Sequence, residues 1–328
     1  QSFMFLTGPE VIKSDTGEII DAESLGGAEV HMTMSGLAHL TASSEDDTLN
    51  MARRVLSYFP SNNVENPPYS LPTDDPLRMD EELNTIIPSD PTSPYIMHSV
   101  IERVVDKGSF LELQPLWARN AIIGLARVGG HSVGIVAQEP SIMAGVIDID
   151  ASDKMARFVR MCDCFNIPLV TLVDSPGYLP GVDQEYRGTI RHGAKLLYAF
   201  AEATVPKITI IIRKAYGGAY IVMSSKYLGT DVTYSWPSAE IAVMGAEGAV
   251  NILFKKQISS ASDPVAERKR LVAEYKEKFS SPYYAAMAGY IDDIIEPKET
   301  RPKIISSLGA LRDKFTSAPP RKHGNIPV

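Results

Sequence analysis

The residue types best suited to chemistry in this chain are gathered in the run Arg213-Lys214-Ala215-Tyr216-Gly217-Gly218-Ala219-Tyr220. It follows an apolar, strand-like stretch and precedes an apolar helix. Its glycines let backbone approach a ligand closely, and the first amides of the helix point outward without intrahelical acceptors. Such amides can bind a developing oxyanion. The same spacing fits a tight strand-to-helix turn with no ligand, and the third glycine of a dinucleotide-binding pattern is missing. A second turn, Val173-Asp174-Ser175-Pro176-Gly177-Tyr178-Leu179-Pro180-Gly181, is rigid enough to form a wall, and equally fits an ordinary stiff loop. Asp174 reads as a cap; as a general base it has no His or second carboxylate beside it in sequence. Trp236, in Tyr234-Ser235-Trp236-Pro237, reads either as an apolar wall for a flat ring or as core. The 6 histidines are scattered with no helical pair at metal spacing, so no metal is expected. His192, beside Arg191, reads as a solvated helix start.

These turns need elements to hold them, and the pattern after Tyr95 supplies alternating strands and helices. Strands are expected at Phe110 to Leu113, Ala121 to Val128, Ser132 to Val136, Leu169 to Val173, Lys207 to Arg213 and Val232 to Ser235. Helices are expected across Ser152 to Phe165, across Arg191 to Glu202, from Ala219 and after Gly245. This alternation implies α/β layering. Lys255 to Lys278 reads as a charged amphipathic helix, and Ser306 to Phe315 as another. Before Tyr95, the chain reads as a short strand, a Gly8-Pro9 turn, a loop carrying Gly26-Gly27 and a helix near Leu49 to Phe59. The segment from Pro60 to Pro94 is rich in Pro, Asn, Ser and Asp, as a surface linker would be, and a domain boundary is expected within it.

Composition narrows the partners. Lys and Arg number 32 against 40 Asp and Glu, and no basic block stands out, so nucleic acid is not expected. Apolar runs such as Ile208 to Ile212 are far shorter than the ~20 residues that span a bilayer. Cys162 and Cys164 fit neither a disulfide framework nor a zinc site, which points to a reducing cytoplasm or an organelle matrix. Gln1 in place of Met, followed at once by an apolar run, suggests that the chain starts inside a longer polypeptide.

Taken together, the motifs resemble those of the carboxyltransferase β subunits of biotin-dependent acyl-CoA carboxylases. The resemblance runs through Leu25 to His31, Met34-Ser35-Gly36, Gly134 to Pro140, Asp174 to Gly181, Gln184-Glu185-Tyr186, Ile190 to Lys195, Arg213 to Tyr220, Ala239 to Ala249 and Arg321 to Pro327, in order and from end to end. Carboxyltransferase subunits of methylmalonyl-CoA decarboxylase and transcarboxylase have similar motifs, so those activities, or a non-catalytic assembly role, are the alternatives. One departure is that Ser175 and Tyr178 stand where many members have Val and Phe.

The resemblance implies an α/β fold of the crotonase type, a ββα superhelix. Residues 1–75 would be the end of an N-terminal domain and its linker, and 76–328 the C-terminal domain. It also implies carboxylate transfer from carboxybiotin, carried by a separate carrier domain or subunit, to the α-carbon of propionyl-CoA or acetyl-CoA. Anionic charge then develops on the ureido oxygen and on the thioester oxygen, which suits two sets of backbone donors. By the same resemblance, Gly218 and Ala219 hold the ureido oxygen, Gly217 shapes the turn, and Tyr220 belongs to the biotin site. Pro176, Gly177, Tyr178 and Trp236 would wall the pocket, and Ile221 would bias the choice of acyl chain. The thioester hole would lie upstream of Gln1. The implied partners are acyl-CoA, a biotin carboxylase, a biotin carboxyl carrier subunit and further copies of the chain in a hexamer. His31 to His39 and Pro176 to Gly181 would then lie near subunit contacts.

Overall fold

The computed structural model describes residues 2–328 except 73, 317, 318 and 321, so Gln1 and the Arg321 of the closing motif lie outside the described residues. Its centre is an eight-stranded sheet. The strands are β1 (Leu111–Leu113), β2 (Ala121–Val128), β3 (His131–Gln138), β4 (Leu169–Ser175), β5 (Lys207–Tyr216), β6 (Val232–Ser235), β7 (Glu240–Ala242) and β8 (Asp293–Ile294). Their order is β1-β2-β3-β4-β5-β6-β8. β1, β2 and β3 pair antiparallel, and from β3 onward the neighbours run parallel. β5 is long enough to pair twice, with β6 over Ile208 to Ile211 and with β7 over Lys214 to Tyr216.

The strands are apolar on both faces because helices cover both. β4 is buried at every position, as parallel strands between helical layers are. On one face, Ile123, Leu125, Val173 and Ile211 pack with Phe158 and Val159 of the helix Ile149–Cys164 and with Leu196 and Phe200 of the helix Thr189–Glu202. On the other, Ile122, Ile135, Ile208 and Ile210 meet Val100 and Ile101 of Met97–Val104 and Ile304 and Leu308 of Thr300–Ala310. Each such side chain, when fully buried, contributes about 1.5–3 kcal/mol. The crossover Ile149–Cys164 starts at Asp148, whose carboxylate accepts from Ala151 N. Its buried Lys154 then donates to the carbonyls of Gln114, Trp117, Ala118 and Ala121. The irregular chain between β1 and β2 is thereby pinned to the helix.

Several local expectations are corrected. Lys255 to Lys278 is not one helix: Lys255–Ser260 ends before Asp263-Pro264, where a new helix, Pro264–Tyr275, begins with proline in its first turn and Asp263 as its cap, followed by the π turn Lys276–Ser280. Proline cannot continue the earlier helix but suits the start of the next. The last helix is Thr300–Ala310 instead of Ser306 to Phe315. The opening run forms only an isolated bridge, Phe3 with Gly27, and Pro9 starts the helix Pro9–Asp15. Gly26-Gly27 joins the short helices Ala22–Gly26 and Ala28–Thr33 in place of lying in a loop. Among the described residues, no helix is long and apolar enough to cross a membrane.

Candidate functional site

The glycine turn stands where β5 leaves the sheet. β5 runs to Tyr216, and the helix Gly217–Val222 begins at the next residue with no side chain capping it among the described residues. Gly217 has φ +54°, and a Cβ there would come within 2.8 Å of Val243 O. Only glycine fits both conditions without strain. Gly218 is exposed, and a Cβ on it would meet nothing nearer than the Tyr178 ring at 3.8 Å. Gly218 and Ala219 occupy the first turn, whose amides have no acceptor within their own helix. Ala219 and Tyr220 pack into the core behind them.

The second turn lies beside the first. Ile147 N donates to Gly177 O at 3.0 Å, and Leu179 N donates back to Ile147 O at 2.8 Å, so Pro176 to Leu179 is held as an extra rung outside the sheet. The Tyr178 ring reaches from Gly218 to the helix Thr189–Glu202, where its hydroxyl lies against Gly193, a Cβ on which would be 2.8 Å away. The departure from Phe is therefore accommodated by a glycine in the next helix. Among the described residues that hydroxyl is buried and makes no hydrogen bond of normal geometry, and burial pushes its pKa up to about 12. The nearby Ser152 hydroxyl is committed to Asp148 O. Ser175 is buried, and its Oγ accepts weakly from Gly177 N at 3.4 Å.

Asp174 braces the two turns. One carboxylate oxygen accepts from Arg213 Nε at 3.0 Å and the other from Lys214 N at 3.0 Å, with both side chains buried. Burial raises the Asp174 pKa while Arg213 opposes the shift. Arg213 also donates to Ser93 O and stacks on Tyr95. Asp174 thus faces the interior, and its oxygens are already used.

Two readings of the sequence change. Trp236 is fully buried with the core on the sheet face opposite Ala219 and Tyr220, and its Nε1 donates to Thr300 Oγ1 at 2.9 Å. It is a core residue and not a wall of the Gly218 cleft, because β6 turns its end toward the helix Thr300–Ala310. His192 is half-buried and paired: its Nδ1 lies 2.9 Å from Asp153, which also takes Lys195 at 3.0 Å. Ile221, by contrast, is 37% exposed at the edge of the turn. A feature that sequence reasoning missed stands behind the turn, where the Tyr216 hydroxyl donates to Glu240 and Lys276 Nζ donates to the same carboxylate at 2.9 Å. Glu240 belongs to β7, whose pairing with β5 brings it there.

Known proteins resemble this chain in sequence and in fold. The carboxyl transferase domain family matches residues 1–326. The propionyl-CoA carboxylase, carboxyltransferase subunit of Haloferax mediterranei is 54% identical over 327 residues, covering 100% of this chain and 63% of its own length. The methylmalonyl-CoA decarboxylase subunit alpha of Veillonella parvula is 52% identical, with the same coverage of each chain. A solved structure of transcarboxylase 12S, described as a hexamer with methylmalonyl-coenzyme A and methylmalonic acid bound, superposes with TM-score 0.96 at 52% identity, covering 99% of this chain and 62% of that one. This chain therefore spans somewhat under two thirds of the length of the relatives it matches. With a family match that runs through both turns, and a close superposition of the sheet and helices that build them, the chain belongs to the carboxyl transferase domain family and has its crotonase-like α/β fold.

Proposed function

We propose that the chain is the carboxyltransferase component of a biotin-dependent acyl-CoA carboxylase, acting on propionyl-CoA, acetyl-CoA or both. The observation that carries this reading is the Gly217-Gly218-Ala219 turn, exposed at Gly218 and open beside Tyr178. A side chain at Gly218 would fill the space that a flat ring needs, so the residues present fit biotin. When bound, carboxybiotin supplies the carboxylate and the ureido group that takes the α-proton of the thioester. The amides of Gly218 and Ala219 hold the ureido oxygen and stabilise charge developing on it, an effect worth about 2.7–4 kcal/mol per donor in comparable oxyanion sites. Tyr178 supports the ring from one side, Pro176 and Gly177 keep Tyr178 in place, and Ile221 stands where the acyl chain enters.

Residues 1–75 fit the end of an N-terminal domain. Their helices Pro9–Asp15 and Glu45–Leu56 bury no residue, and Phe3, Leu6 and Leu56 are exposed; Val55, Tyr58 and Phe59, at and just past the end of the second helix, join this part of the chain to the sheet core. The thioester hole belongs to that domain, and the active unit is a hexamer served by biotin carboxylase and carrier subunits. A reducing compartment suits the free thiols of Cys162 and Cys164.

The test combines the intact subunit with biotin carboxylase and biotinylated carrier and measures ATP-dependent fixation of bicarbonate into propionyl-CoA and acetyl-CoA. Fixation that requires the carrier supports the proposal, and its absence with both thioesters overturns it. The relatives named as decarboxylase and transcarboxylase give a second reading. Co-purification with a membrane Na+ pump subunit or a second carboxyltransferase, with no fixation, would favour it.

A further inference from the structure

A cavity of about 660 Å³ lies at the end of the sheet opposite the glycine turn. Pro168 and Pro206, which immediately precede β4 and β5, line it, as do His131 and Ser132 at the start of β3. The Gly217 turn follows the far end of β5. Ten residues of strand separate the two, roughly 30 Å at about 3.3 Å per residue.

We propose that this cavity binds a planar aromatic or heteroaromatic ring bearing one anionic group. Its size falls within the ~300–1,000 Å³ of small-molecule sites. Tyr69 and His131 form a tilted ring pair on its wall, with centroids 5.0 Å apart. No Asp or Glu is among its described lining residues, whereas Arg312 is exposed there and makes no ion pair or side-chain hydrogen bond among the described residues. A cation without a carboxylate beside it favours an anion. Ser132 is 3% exposed, and its hydroxyl has no hydrogen-bond partner among the described residues. Leaving a buried hydroxyl unsatisfied costs about 1–3 kcal/mol, which a ligand acceptor would relieve. Asn166 spends its Nδ2 on the carbonyls of Asn63 and Glu65, at 2.9 Å each, and keeps its own oxygen as an acceptor.

The linker closes the cavity like a strap. Asn166 ties it down at Asn63 and Glu65, and Ser70 N bonds to Gly130 O at 3.0 Å on the other side. Pro67 and Tyr69 span the gap between these ties. A ring bound beneath them touches both the linker and the starts of the central strands.

Gly309 supplies a clean test. It lines the cavity, lies in the helix Thr300–Ala310, and a Cβ on it meets nothing within 4 Å. Gly309→Leu should therefore improve helix propensity while its side chain fills the site. Saturation-transfer NMR on the intact subunit would use benzoate, nicotinate and adenosine monophosphate, with propionate as an anion lacking a ring. At least one ring-bearing anion should bind saturably, and its affinity should fall by roughly tenfold or more in Gly309→Leu and in Arg312→Gln. Benzoate or nicotinate binding would identify a ring carboxylate, and adenosine monophosphate binding alone a nucleotide. The proposal is overturned if none of the three binds, if propionate binds equally well, or if binding survives both substitutions.

Discussion

Gly217 and Gly218 are neighbours, yet their backbones face different demands. Gly217 adopts φ +54° with Val243 O close to where a Cβ would sit, so Gly217→Ala should cost about 1–2 kcal/mol or more of stability through left-handed backbone strain. Gly218 has room for a side chain, so Gly218→Val should change stability by less than about 1 kcal/mol while lowering carboxyl transfer by roughly a hundredfold or more through blocked access to the oxyanion donors. Chemical denaturation and kcat measured on both variants would separate the roles; equal stability losses would refute the division. Ile221 is a third case. It is 37% exposed and outside both core clusters, so Ile221→Asp has little packing to lose. Its expected effect is a shift in kcat/KM toward propionyl-CoA over acetyl-CoA by about 1–3 kcal/mol, the range available to one apolar contact. An unchanged ratio in a normally folded variant would remove Ile221 from substrate choice.

Elements separated in sequence meet at His98, which joins the helix Met97–Val104 to β1 and to the end of β3. Its Nε2 contacts Glu112 at 2.8 Å and its Nδ1 contacts Glu139 at 3.1 Å. The hydrogen bond to Glu112, then that to Glu139, raises the His98 pKa to about 9. The folded state therefore holds this proton more tightly than the unfolded chain, whose histidine titrates near ~6.5. The stabilisation is full below about 6.5 and is lost as pH rises through about 9. Lys154 and Lys207, lowered to about 8 by burial, act in the opposite sense only above that value. Between about pH 6.5 and 8, the Tm advantage of wild type over His98→Gln should thus shrink as pH rises; a constant difference would refute the coupling. Such ties explain what could be read beforehand. β2, β4, β5 and the helix Ile149–Cys164 were legible as long apolar or periodic runs, and the glycine turns as local chemistry. The three residues of β7 carry no period, and they bring Glu240 to Tyr216 only because β5 outruns β6. Trp236 ends a recognisable strand, but the face it takes depends on the helix Thr300–Ala310, more than 60 residues later. The break before Pro264 is written in Asp263-Pro264, a cap followed by a proline that cannot continue the earlier helix, and the reading of Lys255 to Lys278 as one helix passes over it.

At the scale of the whole molecule, several large apolar side chains that follow the glycine turn in sequence are uncovered among the described residues. Val243 is 79% exposed, Ile252 67%, Leu253 65% and Met287 87%. Val243 O lies 2.8 Å from where a Cβ on Gly217 would sit, so Val243 adjoins the proposed biotin site. Large apolar side chains left this exposed mark an association face where they gather into one patch. The relative described as a hexamer superposes on 99% of the chain. On the proposed reading, a neighbouring subunit covers this face and completes the cleft, so assembly and activity should fail together. Met287→Asp separates this from a defect in folding. At 87% exposure the side chain has little internal packing to lose, so the change should alter subunit stability by no more than about 0.5 kcal/mol. Within an interface it would bury an unpaired carboxylate, a cost of several kcal/mol, on the order of 3–5 for a broken buried pair. Sedimentation of the intact protein at micromolar concentration should therefore show a hexamer for wild type and smaller species for Met287→Asp, with carboxyl transfer lost in proportion. A wild-type monomer would contradict the assembly, and a hexameric, active Met287→Asp would place the interface elsewhere.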